Sequence, residues 1–99
     1  MEFLVKGNIF GKCVLFNNLE DLDKVNLNNK VLVIEELNLN ILPYLSKVNG
    51  IIVEKGSFLS HIFIFLREIN IPVVKIKNAT KIYSVNQLIN INFKKEKEK

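Results

Sequence analysis

Three apolar runs constrain this chain more than any other feature: Val31-Leu32-Val33-Ile34, Gly50-Ile51-Ile52-Val53 and Ile71-Pro72-Val73-Val74-Lys75-Ile76. The first is a continuous apolar run, which suits a strand buried on both faces, and the other two read as further strands, with Pro72 near the start of the last. Between the first two lies Leu39 to Lys47, with Ile41, Leu42 and Leu45 at helical spacing. Asn38 can cap it, and Pro43 falls near the first turn, where proline is tolerated. Asn49-Gly50 ends it. Between the second and third lies the apolar segment His61 to Ile69, with Asn70 placed as its C′ residue. Strand, helix, strand, helix, strand asks for parallel strands joined by right-handed crossovers, an α/β domain.

The flanks read as antiparallel. Phe3 to Lys6 and Lys12 to Phe16 are expected as strands around a Gly7…Gly11 turn. Gln87 to Phe93 largely alternates and should close the sheet. Asn78 to Ile82 suits one helical turn. Asn17 to Asn29 is polar, with leucines and a valine spaced for a short helix or an ordered loop.

With 99 residues, 48% of them hydrophobic, the chain can bury one core. Residues 1–93 are expected to form a single domain, and 94–99 a solvated charged tail. No apolar run approaches the ~20 residues of a membrane span. Met1 to Lys6 lacks a signal-peptide layout, so a cytoplasmic location is expected. The lone cysteine, Cys13, excludes an internal disulfide, offers no metal pattern and reads as a buried structural thiol. The net charge is +4, but there is one arginine and no basic cluster interleaved with aromatics, which argues against nucleic acid.

The chemistry concentrates in Glu54-Lys55-Gly56-Ser57-Phe58-Leu59-Ser60-His61-Ile62, which holds the only histidine. A glycine-containing turn leads from a strand to a helix start, with Ser60 as a good N-cap. An imidazole there meets unpaired backbone N–H groups and the positive end of the helix dipole, a place to hold an anion such as phosphate. Gly56 and Ser57 are turn residues whose N–H groups can also form an anion nest. Ser60 can orient the imidazole or touch phosphate. Glu54 can hold the turn or pair with a lysine. Arg67, six residues past His61 on another helix face, suits an ion pair with Glu54 or Glu68 better than a phosphate contact. The plainer reading of an isolated histidine is a satisfied side chain packed near a turn. The run Ile62-Phe63-Ile64-Phe65-Leu66 is apolar all round, more than one sheet contact needs. Its excess face calls for an oligomer contact, a partner surface or a second internal layer.

Gly50-Ile51-Ile52-Val53-Glu54-Lys55-Gly56-Ser57-Phe58-Leu59-Ser60-His61, followed by Arg67-Glu68-Ile69-Asn70-Ile71-Pro72-Val73-Val74, resembles the mobile phosphohistidine domain of PEP-utilising enzymes. That family includes pyruvate phosphate dikinase, phosphoenolpyruvate synthase and enzyme I of the sugar phosphotransferase system. Val31-Leu32-Val33, Asn78-Ala79-Thr80 and Gly7, Gly11 and Lys12 fall in the same register. The resemblance implies a three-layer swivelling β/β/α domain with a central, partly parallel sheet. It also implies that His61 carries a phosphoryl group, with Ser60, Gly56 and Ser57 positioning it and Glu54 and Arg67 in support.

This chain departs from the family's pattern in several places. Val53 replaces a threonine and Ser57 a glycine. Ile62, Phe63 and Leu66 replace smaller residues, and Asn70 and Ile76 replace glycines. Leu37-Asn38-Leu39-Asn40 stands where the family has threonine, an acid and proline.

The implied function is a stand-alone phosphohistidine carrier, a phosphotransferase component inactive without a partner. It binds no cofactor or metal of its own and receives the group from PEP or ATP through a separate PEP- or nucleotide-binding protein. The alternative is a catalytically degenerate domain acting as an oligomerisation or regulatory module, with homo-oligomer contact through the His61–Ile69 helix.

Overall fold

The computed structural model describes residues 1–16, 26–56 and 61–93. Six strands form one mixed sheet: β1 (Glu2–Val5), β2 (Asn8–Phe16), β3 (Lys30–Ile34), β4 (Gly50–Val53), β5 (Val73–Lys75) and β6 (Leu88–Asn92). Their order across the sheet is β1-β5-β4-β3-β2-β6. The inner strands β2, β3, β4 and β5 are parallel, and β1 and β6 flank them antiparallel. A 3-10 helix (Leu39–Lys47) joins β3 to β4. Helix α1 (His61–Glu68) precedes β5, and the single turn α2 (Ala79–Ile82) follows it. No helix among the described residues is long and apolar enough to cross a membrane.

Strand alternation sorts the buried side chains into two layers. Leu32, Ile34, Ile51, Val53 and Val73 face the 3-10 helix and α1, packing with Ile41, Leu45, Ile62, Phe63 and Leu66. Val31, Val33, Ile52 and Val74 face the other way, onto Ile9, Cys13, Ile89 and Ala79. The sheet curls on that second face until its outer strands meet. The ring of Phe3, on β1, lies edge-to-face with that of Phe93, just past β6, with centroids 5.1 Å apart. Cys13 is buried here, and burial pushes its thiol pKa up to about 11.

Gly7 and Gly11 do not form a hairpin turn as expected. β1 and β2 lie four strands apart in the sheet order, and Gly11 sits inside β2. Near this point β2 changes neighbour, pairing with β6 from Asn8 to Lys12 and with β3 from Lys12 to Phe16. The glycine bends the strand; it does not reverse it. The strand expected over Ile71 to Ile76 is shorter, and Ile71 instead closes the end of α1. Ile71 N donates to Leu66 O (3.0 Å), Asn70 N to Arg67 O (3.2 Å), and Asn70 takes φ +60°. This is a Schellman cap with asparagine in the left-handed position. The expectation for Asn17 to Asn29 falls mostly on residues 17–25, and that for the tail on residues 94–99. Both stretches lie outside the described residues.

Candidate functional site

The segment leaving β4 is pinned from three directions. Glu54 N and Lys55 N both donate to Glu35 O, at 3.0 and 2.9 Å, tying it to the end of β3. Lys75 Nζ, on β5, donates to Gly56 O at 3.2 Å. The Glu54 carboxylate accepts from Thr80 N at 2.8 Å and from the Thr80 hydroxyl. Asn78, the N-cap residue of α2, makes no side-chain capping bond, so Glu54 supplies the acceptor at that helix start from the end of β4, the strand beside β5. Lys55 pairs with Glu35 at 3.1 Å in an exposed ion pair.

Gly56 is required by close approach. A Cβ there would come within 2.8 Å of the Phe63 ring and 3.3 Å of Leu4 Cδ1. Phe63 is thus turned inward beneath the loop and buried. Ser57 and Ser60 lie outside the described residues.

His61 is the first residue of α1 and is exposed at the carboxyl end of the parallel strands. It lines an open groove of about 460 Å³ with Ile62 and with Leu37, Asn38, Leu39 and Asn40. The far wall is the start of the 3-10 helix, where Asn38 Oδ1 accepts from Asn40 N at 2.9 Å. Beside His61, the groove lining among the described residues holds no acidic or basic side chain. Two helix starts therefore converge on it, each presenting the positive end of a backbone dipole.

Arg67 stands apart from this arrangement. Six residues at 1.5 Å rise put it ~9 Å along the helix from His61. Its Nη2 donates to Leu4 O at 3.1 Å, at the other end of the sheet. The Glu54 partner expected for it is held by Thr80 instead. On α1, Ile62, Phe63 and Leu66 are buried, whereas Ile64 and Phe65, and Ile69 just past its end, are 36–41% exposed. The Ile62–Leu66 run is apolar all round, and among the described residues it is covered on one side only.

Reading the sequence alone missed Thr80 and Lys75 as partners of the loop and the Leu37–Asn40 wall. The Asn78-Ala79-Thr80 register was the one available signal for Thr80, because a threonine at a helix start next to a strand-end glutamate can close such a link.

The two Thr80 bonds hold the Glu54 carboxyl below its ordinary value of 4.5. A carboxylate depressed in the folded state stabilises the fold above its unfolded pKa and loses that contribution as pH falls through the folded value. The thermal midpoint should therefore fall more steeply below about pH 4.5 in the wild type than in Glu54→Gln. Melting curves at several acidic pH values check this; parallel curves would mean the Thr80 bonds add nothing.

The profile of the family described as "PEP-utilising enzyme, mobile domain" matches residues 26–95, which includes β3 through β6 and the whole His61 site. The chain belongs to the PEP-utilising enzyme mobile domain family. A probable phosphoenolpyruvate synthase of Methanothermobacter thermautotrophicus is 31% identical over 98 residues, 92% of this chain and 14% of that protein. A pyruvate kinase of Staphylococcus haemolyticus is 32% identical over 77 residues, covering 77% of this chain and 13% of its own length. A pyruvate kinase of Staphylococcus aureus is 31% identical over 88 residues, 88% of this chain and 15% of that enzyme. The chain thus spans about one-seventh of the length of these relatives.

Proposed function

We propose that this mobile domain is a phosphohistidine carrier, accepting a phosphoryl group at His61 and passing it on, in trans with a separate PEP- or nucleotide-binding partner. The observation that supports it most is the exposed lone imidazole at the start of α1, within the family's register. An imidazole nitrogen attacks the donor phosphorus in line. The N–P bond forms as the P–O bond to enolpyruvate or a nucleoside diphosphate breaks, and the leaving group keeps that electron pair. An acceptor oxygen then takes the phosphoryl group and the ring nitrogen recovers its lone pair. The helix start favours the phosphoryl dianion by about 0.3–1 kcal/mol.

Ser60, Gly56 and Ser57 position the phosphoryl oxygens in this reading. Glu54 supports the loop through Thr80. Arg67 supports the other end of α1 through Leu4. The groove beside His61 leaves room for an incoming donor, since Phe63 is packed inward.

The exposed row Ile64, Phe65 and Ile69 favours a second reading, a domain retained for self-association through the His61–Ile69 helix. The two separate on one experiment. Radiolabelled PEP or ATP is added to the protein with a cell extract supplying the partner. The carrier takes up acid-labile, alkali-stable label that is lost in His61→Ala. Absence of label under both donors, with a tight oligomer that buries α1, would replace it with the second reading.

A further inference from the structure

A second concavity, of about 660 Å³, lies at the opposite end of the parallel strands from His61. It opens where β1 ends at Val5, before β4 at Asn49 and before β5 at Pro72, and the carboxyl-terminal end of α1 overhangs it. We propose that this cavity binds a small organic anion, a phosphate or carboxylate on a compact uncharged body.

The lining explains the charge. Lys6 and Arg67 both contribute to it, and no acidic residue does among the described residues. Two cations in one concavity focus a positive potential on whatever enters. Nη2 of Arg67 donates to Leu4 O at 3.1 Å, which tethers the guanidinium at the cavity. A planar fork held in place suits a carboxylate or phosphate edge. Lys6 Nζ rests 5.5 Å from the centre of the Phe93 ring, on a long flexible stem that lets it turn toward a ligand.

The lining also explains why the ligand has a body. Val5 and Pro72 give one wall an apolar surface, and Asn8 and Asn70 add carboxamides at the rim. The volume falls in the range of small-molecule sites, larger than a bare phosphate fills. The frame is rigid. Asn49 Nδ2 donates to Phe10 O at 2.8 Å, and a Cβ on Gly7 would stand only 2.9 Å from Pro72 Cβ. The cavity shares no lining residue with the His61 groove.

Amide shifts of the labelled protein, followed by NMR as phosphoglycolate, citrate or inorganic phosphate is added, test the assignment. Saturable shifts at Gly7, Asn8 and Asn70 are expected, stronger for the two organic anions than for phosphate alone. Lys6→Gln and Arg67→Gln should each weaken binding about tenfold or more. Arg67→Lys, which keeps the charge and loses the fork, should fall between. Lys6 is exposed, so its variant reads out binding even if Arg67→Gln unsettles the fold. Three results would overturn the site: shifts that stay linear for every probe, shifts centred on the His61 groove, or binding that survives unchanged in Lys6→Gln.

Discussion

Replacing Leu66 with alanine should cost about 2–5 kcal/mol of folding stability. Leu66 is fully buried on α1, in the layer with Leu4, Val53, Ile71 and Val73. Truncation removes apolar contacts on the helix and leaves a cavity between helix and sheet that rigid strands cannot close. Its neighbour Phe65 is a larger side chain, yet it is 40% exposed on the opposite face. Phe65→Ala should cost less than about 1 kcal/mol. The contrast matters because both residues belong to the same apolar run, and only the orientation of α1 distinguishes them. Urea unfolding followed by circular dichroism measures both. Equal losses would mean that α1 does not seat on the sheet by the Ile62, Phe63 and Leu66 face.

Gly11→Ala should cost about 2–4 kcal/mol. Gly11 has φ +151°, a conformation that side-chain-bearing residues rarely adopt. A Cβ at this position would also lie 2.7 Å from Asn29 O and 3.4 Å from Val31 Cγ2. The nearest obstacle is a backbone carbonyl in the turn before β3, so relief requires moving the turn or the strand. Both penalties fall where β2 exchanges β6 for β3, so the variant should loosen the curl of the sheet. The same urea titration reads the loss. A change within about 0.5 kcal/mol of wild type would show that the bend tolerates a side chain.

Much of the sheet was legible because its signals are local. The apolar runs mark β3, β4 and β5 directly, and the segments between successive runs place the 3-10 helix and α1. Asn70 at the end of α1 follows from the left-handed tolerance of asparagine, a property this chain uses again at Asn29, Asn78 and Asn86, all with positive φ. With four glycines in the chain, asparagine takes over turn positions that glycine often fills.

What stayed hidden was non-local. A glycine pair spaced by four residues reads as a turn, and nothing in the sequence tells that β1 joins β5 while β2 joins β6. The Glu54–Thr80 link joins residues 26 apart, and the Leu4–Arg67 link residues 63 apart. Neither has a spacing rule to reveal it. The burial of one α1 face depends on where the sheet lies, which a run apolar all round cannot report. His61 was legible because a single histidine at a helix start after a strand is a local pattern, and the family register gives it a chemical meaning.

The most direct measurement is the location of the phosphoryl group after incubation with labelled PEP or ATP and a partner-containing extract. Phosphorus NMR of the intact protein, with peptide mapping under alkaline conditions, supplies it. A single phosphoramidate on the His61 imidazole is the result expected. Phosphorus on another residue, or the same signal persisting in His61→Ala, would contradict the account.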